Sequence, residues 1–278
     1  MADRPHGGPW RWIAVGACAV VCAAVLAGST TGSSAAVGVR LRVLQLNLCN
    51  SGIASCYTGH SVARAAAVIG SIGPNLVTLN EVCRDDVSNL ERVLSEGARD
   101  RDVVSAFQPA ADRRTAAAVQ CRNGQPYGIG LLARFPSLDD RYSIHAGIYP
   151  IQDTSDPEER AWLCLDTSEV VACTTHLAST KPTVALAQCR YLLDTAIPTV
   201  PGRGGAVPTI LSGDLNLKPH HIPDIRSCLP SGGYVQSNDG GRQYIVVSAD
   251  LRISSRATIS MNKTTDHPGL LGTLTATR

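Results

Sequence analysis

Ile210-Leu211-Ser212-Gly213-Asp214-Leu215-Asn216 is an apolar run that ends abruptly in an acid and an amide. Preceded by Pro208-Thr209 and followed by Lys218-Pro219, it reads as a short buried strand between turn-forming residues. Asp214 and Asn216 are two residues apart, so as long as the strand persists they project to the same side. A carboxylate and an amide together at a strand mouth can orient a water or a hard cation, and they add little to an apolar core. Chemistry is expected there first.

The same ending recurs. Val43-Leu44-Gln45-Leu46-Asn47 reaches an amide, Leu76-Val77-Thr78-Leu79-Asn80-Glu81 a carboxylate, and Val170-Val171-Ala172-Cys173-Thr174-Thr175-His176 an imidazole. Thr264-Thr265-Asp266-His267-Pro268 sets an acid and an imidazole before a turn. Taken singly, Asn47 caps a turn, Glu81 precedes a helix, and His176 is a satisfied, partly buried histidine. Recurrence in one domain instead implies strand ends that meet at one edge. Oxygen donors of this kind suit Mg²⁺, with Mn²⁺ or Ca²⁺ as alternatives, better than zinc or copper. Mg²⁺ with few protein ligands completes its shell with water and phosphate, which points to phosphoryl chemistry.

Strand-like runs alternate with amphipathic helices along the chain. Strands are expected at 41–48, 76–82, 103–107, 128–133, 141–148, 160–165, 170–177 and 243–248, with closing β segments near 258–261 and 270–275. Helices are expected at 60–72, 85–96 and 181–196, and the polar stretch 112–126 reads as a long loop. No repeat or low-complexity linker divides residues 37–278, so they form one α/β domain large enough for a sheet sandwich covered by helices.

The first 36 residues read as a targeting segment. Arg4 and Arg11 precede the uncharged, largely apolar stretch Ile13–Gly28, and Ser34-Ala35-Ala36 offers small residues for cleavage. The expectation is a signal peptide and a secreted domain. An uncleaved N-terminal membrane anchor, with the domain outside the cytoplasm, is the alternative. Eight cysteines follow the leader, an even number that agrees with an oxidising compartment but allows 105 connectivities. Two pairs are local: Cys49 with Cys56 around a small loop, and Cys164 with Cys173 across a hairpin. A loop this short is worth roughly 2.5 kcal/mol on the chain-entropy model. No Cys-x-x-Cys pair follows the leader, which argues against zinc.

Composition excludes little. Lys and Arg number 25 against 23 Asp and Glu, so no bulk electrostatic footprint for nucleic acid appears. With two Phe and three Trp, two of the Trp in the leader, a strongly membrane-inserting surface is disfavoured.

The ordered set Gln45-Leu46-Asn47, Asn80-Glu81-Val82, Gly128-Ile129-Gly130-Leu131-Leu132-Ala133-Arg134, Thr175-His176-Leu177, Gly213-Asp214-Leu215-Asn216 and Thr265-Asp266-His267 resembles the endonuclease/exonuclease/phosphatase superfamily over about residues 41–276. The resemblance implies a four-layered α-β-β-α sandwich with two mainly antiparallel central sheets (the DNase I-like fold) and Mg²⁺-dependent phosphoester hydrolysis. It makes Glu81 the principal metal ligand, Asn47 a nearby ligand or orienter, and Asp266 a group at the metal. Asp214 would position or deprotonate water, Asn216 and His176 would hold phosphate oxygens, and His267 would be a base or transition-state contact.

One position departs from the pattern. Gln243, in Gly241-Arg242-Gln243-Tyr244, stands where the family usually has an Asp that orients the last histidine. Arg84, Tyr127 and His220 are further candidates for substrate contact, each with a bland reading as a solvated or packed side chain. The expected function is an exported metal-dependent phosphodiesterase, a nuclease acting on DNA or RNA. A sphingomyelinase-like phospholipid phosphodiesterase or a phosphomonoesterase is the alternative, and a secreted non-catalytic binding protein is the rival from another class. No stable protein partner is implied, and membrane contact would come only through an uncleaved N-terminal segment.

Overall fold

The computed structural model describes residues 40–96, 103–135, 142–200 and 207–277; the leader expected over residues 1–36 lies outside them. Strand β1 (Leu41–Asn47), helix α1 (Ser61–Ile72), β2 (Leu76–Cys83) and α2 (Arg84–Glu96) open the domain. β3 (Val103–Pro109) leads into two-residue strands β4 (Ala111–Asp112) and β5 (Ala117–Ala118), then β6 (Tyr127–Arg134). β7 (Ser143–Ile148), β8 (Glu158–Glu159), β9 (Ala161–Asp166) and β10 (Val171–His176) follow. Helix α3 (Pro182–Tyr191) runs through a π-helical turn, Leu192–Ala196, into the short α4 (Ile197–Thr199). β11 (Thr209–Asp214), β12 (Tyr234–Asn238), β13 (Gln243–Ser248), β14 (Leu251–Ile259) and β15 (Gly269–Ala276) complete the domain.

The long strands form two six-stranded sheets, ordered β14-β15-β1-β2-β6-β3 and β12-β13-β11-β10-β9-β7. Each is antiparallel apart from one parallel pair, β1 with β2 and β10 with β11. Three apolar clusters separate four layers. Leu44, Leu46, Val77 and Leu79 pack against Ala65, Ile69, Leu90 and Leu94 of α1 and α2. Val43, Leu76, Leu131, Leu163, Ala172, Ile210 and Ile245 fill the space between the sheets. Cys173, Leu211, Tyr244 and Val246 meet Ala185, Leu192 and Ile197 on the far side. The expected four-layered sandwich is the observed one.

Alternation along the strands explains why chemistry collects at one end. The inter-sheet face of β1 reads Val43, Gln45, Asn47, that of β2 Leu76, Thr78, Asn80, and that of β11 Ile210, Ser212, Asp214, while β10 contributes Ala172, Thr174 and His176. Each strand thus starts apolar and finishes polar on the same face. Parallel pairing places Asn47 beside Asn80 and His176 beside Asp214, so the polar ends are in register.

Edge strands account for most differences from the expected elements. β12 was not expected, and β14 begins at Leu251, well before the anticipated segment near 258. Both lie at sheet edges, and β14 is exposed over most of its length, so neither carries the apolar alternation of a covered strand. The expected loop over 112–126 contains β5, which pairs with β4; β4 pairs in turn with β8 in a three-stranded ribbon too short to show periodicity. The expected helix 181–196 begins at Pro182 and turns π-helical from Leu192.

The eight cysteines pair as Cys49–Cys56, Cys83–Cys121, Cys164–Cys173 and Cys189–Cys228. Both local pairs are present, and Cys164 stands opposite Cys173 in the β9–β10 register. No helix among the described residues is long and apolar enough to cross a membrane.

Candidate active site

A cavity of about 350 Å³ opens at the polar end of the sandwich, lined among others by Glu81, His176, Asp214, Asn216, Asp266 and His267. The sheets supply the first residues directly, since Asp214 is the last residue of β11 and His176 the last of β10. Gly213 permits their close approach: a Cβ there would lie 2.1 Å from the Thr175 carbonyl oxygen. Glu81 sits at a register shift between β2 and β6, with φ 57°. Such a bulge re-aims one side chain of an otherwise regular strand, here into the cavity. Asp266 and His267 come from the β14–β15 connection, held against β1 by the Thr265 hydroxyl donating to the Asn47 carbonyl at 3.0 Å.

Asn216 corrects the opening expectation. The strand ends at Asp214, and Asn216 has φ 52°, so the two residues are not on one face of a continuing strand. They meet because the Asn216 backbone N–H turns back to donate to Asp214 Oδ1 at 3.1 Å. The Asn216 amide is fixed by donating to the Leu177 carbonyl at 2.9 Å.

Asp214 is buried, and its Oδ2 accepts from Asn47 Nδ2 at 3.2 Å and Gln243 Nε2 at 2.8 Å. Burial pushes its pKa up, although His267 and these donors oppose the rise. Gln243 therefore differs from its expected role: its amide is engaged with Asp214 and with Gln45, whose Nε2 donates to Gln243 Oε1 at 2.9 Å. The last histidine instead faces carboxylates nearer the cavity, with Nε2 3.5 Å from Asp214 and 3.8 Å from Asp266. Gln45 also bonds Asn80 and Thr78, so the network beneath Asp214 is neutral and continuous between the sheets. Replacing Gln243 by Leu leaves a Gln45 donor contact unmet and removes one donor from Asp214. Urea denaturation of Gln243→Leu is expected to show a loss of about 2 kcal/mol, and an unchanged midpoint would refute this arrangement.

Glu81 Oε1 accepts from Asn47 Nδ2 at 2.8 Å. Burial raises the Glu81 pKa, and the charges of Asp214 and Asp266 raise it further. Glu81 and the two carboxylates whose charges disfavour its ionisation form a donor set that a hard divalent cation would satisfy. Glu81, with Asp266 at the open side, fits such an ion. Asn47 orients this set, its amide nitrogen donating to Glu81 and Asp214, while its Oδ1 accepts a single N–H, from Cys49 at 3.1 Å, and keeps a lone pair that a cation could share. Ligand-type atoms of Cys49, Cys56 and Asp266 also cluster within 4.8 Å, but the two sulfurs are bonded to each other and cannot ligate a metal.

His176 has a partner the sequence did not reveal. Arg160 Nη1 donates to His176 Nδ1 at 2.8 Å, which leaves the proton of the neutral ring on Nε2, 3.9 Å from Glu81. Burial lowers the His176 pKa well below its usual value, and the Arg160 charge lowers it further. The ring is thus a neutral hydrogen-bond donor at neutral pH. Arg160 is itself buried, paired with Asp156 at 3.2 Å and Glu158 at 3.1 Å.

Of the remaining candidates, Tyr127 lines the cavity, while Arg84 and His220 do not. Arg84 is exposed at the start of α2 and lies over the Phe107 ring at 5.5 Å, and His220 is exposed in the loop after β11. Glu158, Arg160 and Arg242 also line the cavity and were missed. Asp156-Pro157-Glu158-Glu159-Arg160 reads as a solvated charge run, and nothing in its spacing signals that Arg160 is buried.

Sheet order, layers and site position define the DNase I-like sandwich of the endonuclease/exonuclease/phosphatase fold, and the chain has that fold. It is similar to the endonuclease/exonuclease/phosphatase of Beutenbergia cavernae DSM 12333, with TM-score 0.62, 19% identity, and 85% of this chain and 72% of that one covered. D. rerio TDP2 complexed with single strand DNA product matches at TM-score 0.58 and 14% identity over 85% of this chain and 99% of that one. A mannosyl-6-phosphatase of Bacteroides thetaiotaomicron VPI-5482 matches at TM-score 0.57 and 14% identity over 84% and 99%. No protein-family model and no curated protein matches the chain.

Proposed function

We propose that this protein is an exported, Mg²⁺-dependent phosphoesterase of the endonuclease/exonuclease/phosphatase superfamily, with nucleic-acid phosphodiesters as the first substrate class to test. The observation that carries the reading is the convergence of Glu81, Asp214 and Asp266 with His176 and His267 in one cavity. Mg²⁺ held by Glu81 and Asp266 would offset their charge and polarise a phosphoryl oxygen. Asp214 holds the attacking water and draws off its proton, and burial makes it a stronger base than a surface carboxylate. His176 Nε2–H donates to a phosphoryl oxygen as negative charge builds there, and Asn216 lines the same cavity. His267 lies against Asp214, on the side where water is activated.

The modest cavity favours a second reading, hydrolysis of a small phosphoester such as a sugar phosphate. Its wall includes Ser51 and Ile53 from the Cys49–Cys56 loop and Gln120 beside Cys121, segments tied down by disulfides. Export is supported by the leader-like N-terminus and by four cysteine pairs.

Purified protein is to be assayed on plasmid DNA, RNA, sphingomyelin, sugar phosphates and bis(4-nitrophenyl) phosphate, with Mg²⁺ and then with EDTA. Hydrolysis of at least one substrate, abolished by EDTA and restored by Mg²⁺, is the expected result. Inactivity on the whole panel would favour a binding protein on the same fold.

A further inference from the structure

Glu158 is a carboxyl group in the cavity wall that the chemistry above does not use. It stands in β8, whose backbone pairs with β4. Arg113 secures the preceding turn, with its backbone N–H donating to the Pro157 carbonyl at 2.9 Å and its Nη2 to that of Asp156 at 3.0 Å. The simplest role for Glu158 is counterion to Arg160, 3.1 Å away. Asp156 already pairs with that guanidinium, so a second carboxylate exceeds what the charge needs.

Resting on the phosphoesterase reading, we propose that Glu158 is the proton donor to the leaving-group oxygen, which adapts the site to esters of alcohols, such as nucleosides, sugars and polyols. Three observations support it. Glu158 shares one cavity with Glu81 and His176, yet belongs to the ribbon rather than to the strand that carries Asp214. The neighbouring groups are unsuited to the task. His176 is held neutral with Nδ1 occupied by Arg160, and the Tyr127 phenol is pushed well above its usual range by burial. Finally, burial raises the Glu158 pKa to about 7, with Asp156 and Glu81 adding to the rise and Arg160 opposing it. Across the ribbon, Asp112 is neutralised by Arg114 at 2.8 Å.

The step balances as a hydrolysis. The water oxygen bonds to phosphorus, and the bond from phosphorus to the leaving oxygen breaks with its electron pair passing to that oxygen. The Glu158 proton then moves to the leaving oxygen. The water's proton goes to Asp214 and on to solvent, from which Glu158 is reprotonated.

The test compares leaving groups with Mg²⁺ present. Bis(4-nitrophenyl) phosphate expels a stable phenolate and needs no acid, whereas a dinucleoside monophosphate expels an alkoxide and does. Glu158→Gln is expected to lower kcat/KM on the dinucleoside by about 10²-fold and on the aryl ester by less than about 3-fold, so the aryl activity also reports intact folding. Glu158→Asp, which retains an acid, is expected to recover part of the dinucleoside activity. Equal losses on both esters, no loss on either, or a wild type that cleaves only the aryl ester would overturn the assignment while leaving the phosphoesterase reading intact. A wild type inert on both esters and on the wider panel would remove the reading itself.

Discussion

Asp214→Ala is expected to lower kcat/KM on any phosphodiester the protein cleaves by at least about 10³-fold. The carboxylate stands where β11 ends and receives donors from Asn47, Gln243 and the Asn216 backbone. Those bonds hold its orientation, and burial raises its basicity. Its removal leaves three donors unmatched, each costing about 1–3 kcal/mol if nothing replaces the partner. The variant also loses a buried carboxylate whose desolvation is unfavourable, so the two effects oppose each other. Circular dichroism should therefore show a folded protein with its thermal midpoint moved by only a few degrees. Residual activity within tenfold of wild type would exclude Asp214 from the water-activating role.

Glu81→Gln is expected to be nearly as severe, with activity down by at least about 10²-fold, and it carries a readout independent of turnover. In the wild type, Mg²⁺ at a hundred times its dissociation constant should stabilise the fold by about 2.7 kcal/mol. That rise in thermal midpoint should vanish in Glu81→Gln. The metal-free proteins should differ in the opposite sense. Because the folded-state pKa of Glu81 is raised, its contribution to stability is present at acid pH and is lost as pH rises through the raised value. Glu81→Gln removes that loss, so the metal-free variant should be the more stable of the two near neutral pH. A Mg²⁺-dependent midpoint that survives the substitution would place the ion elsewhere.

Much of the site could be read from the sequence because it is written in strand alternation. Val43-x-Gln45-x-Asn47 and Ile210-x-Ser212-x-Asp214 each carry an inward face from apolar to polar within five residues. Register then brings those ends together. The ends of β1, β2, β10 and β11 were legible for that reason, as were the layers. What escaped depends on relations that a linear pattern does not encode. Glu158 and Arg160 come from a two-residue strand and its flank, where charge density resembles a solvated surface. Gln243 was recognised as unusual, but its partners are Asp214 and Gln45, the latter 198 residues away in sequence. The edge strands β12 and β14 were missed or shortened because an exposed strand need not alternate.

The disulfide pattern bears on how the molecule is made. Among the eight cysteines of the described residues, the first bonds the second, the third the fourth, the fifth the sixth, and the seventh the eighth. Of 105 arrangements, this is the one in which every thiol joins its next neighbour along the chain. A polypeptide threaded N-terminus first into an oxidising compartment would expose each correct partner before any wrong one downstream. An oxidase acting in order of emergence would then suffice, and a disulfide isomerase would have little to rearrange.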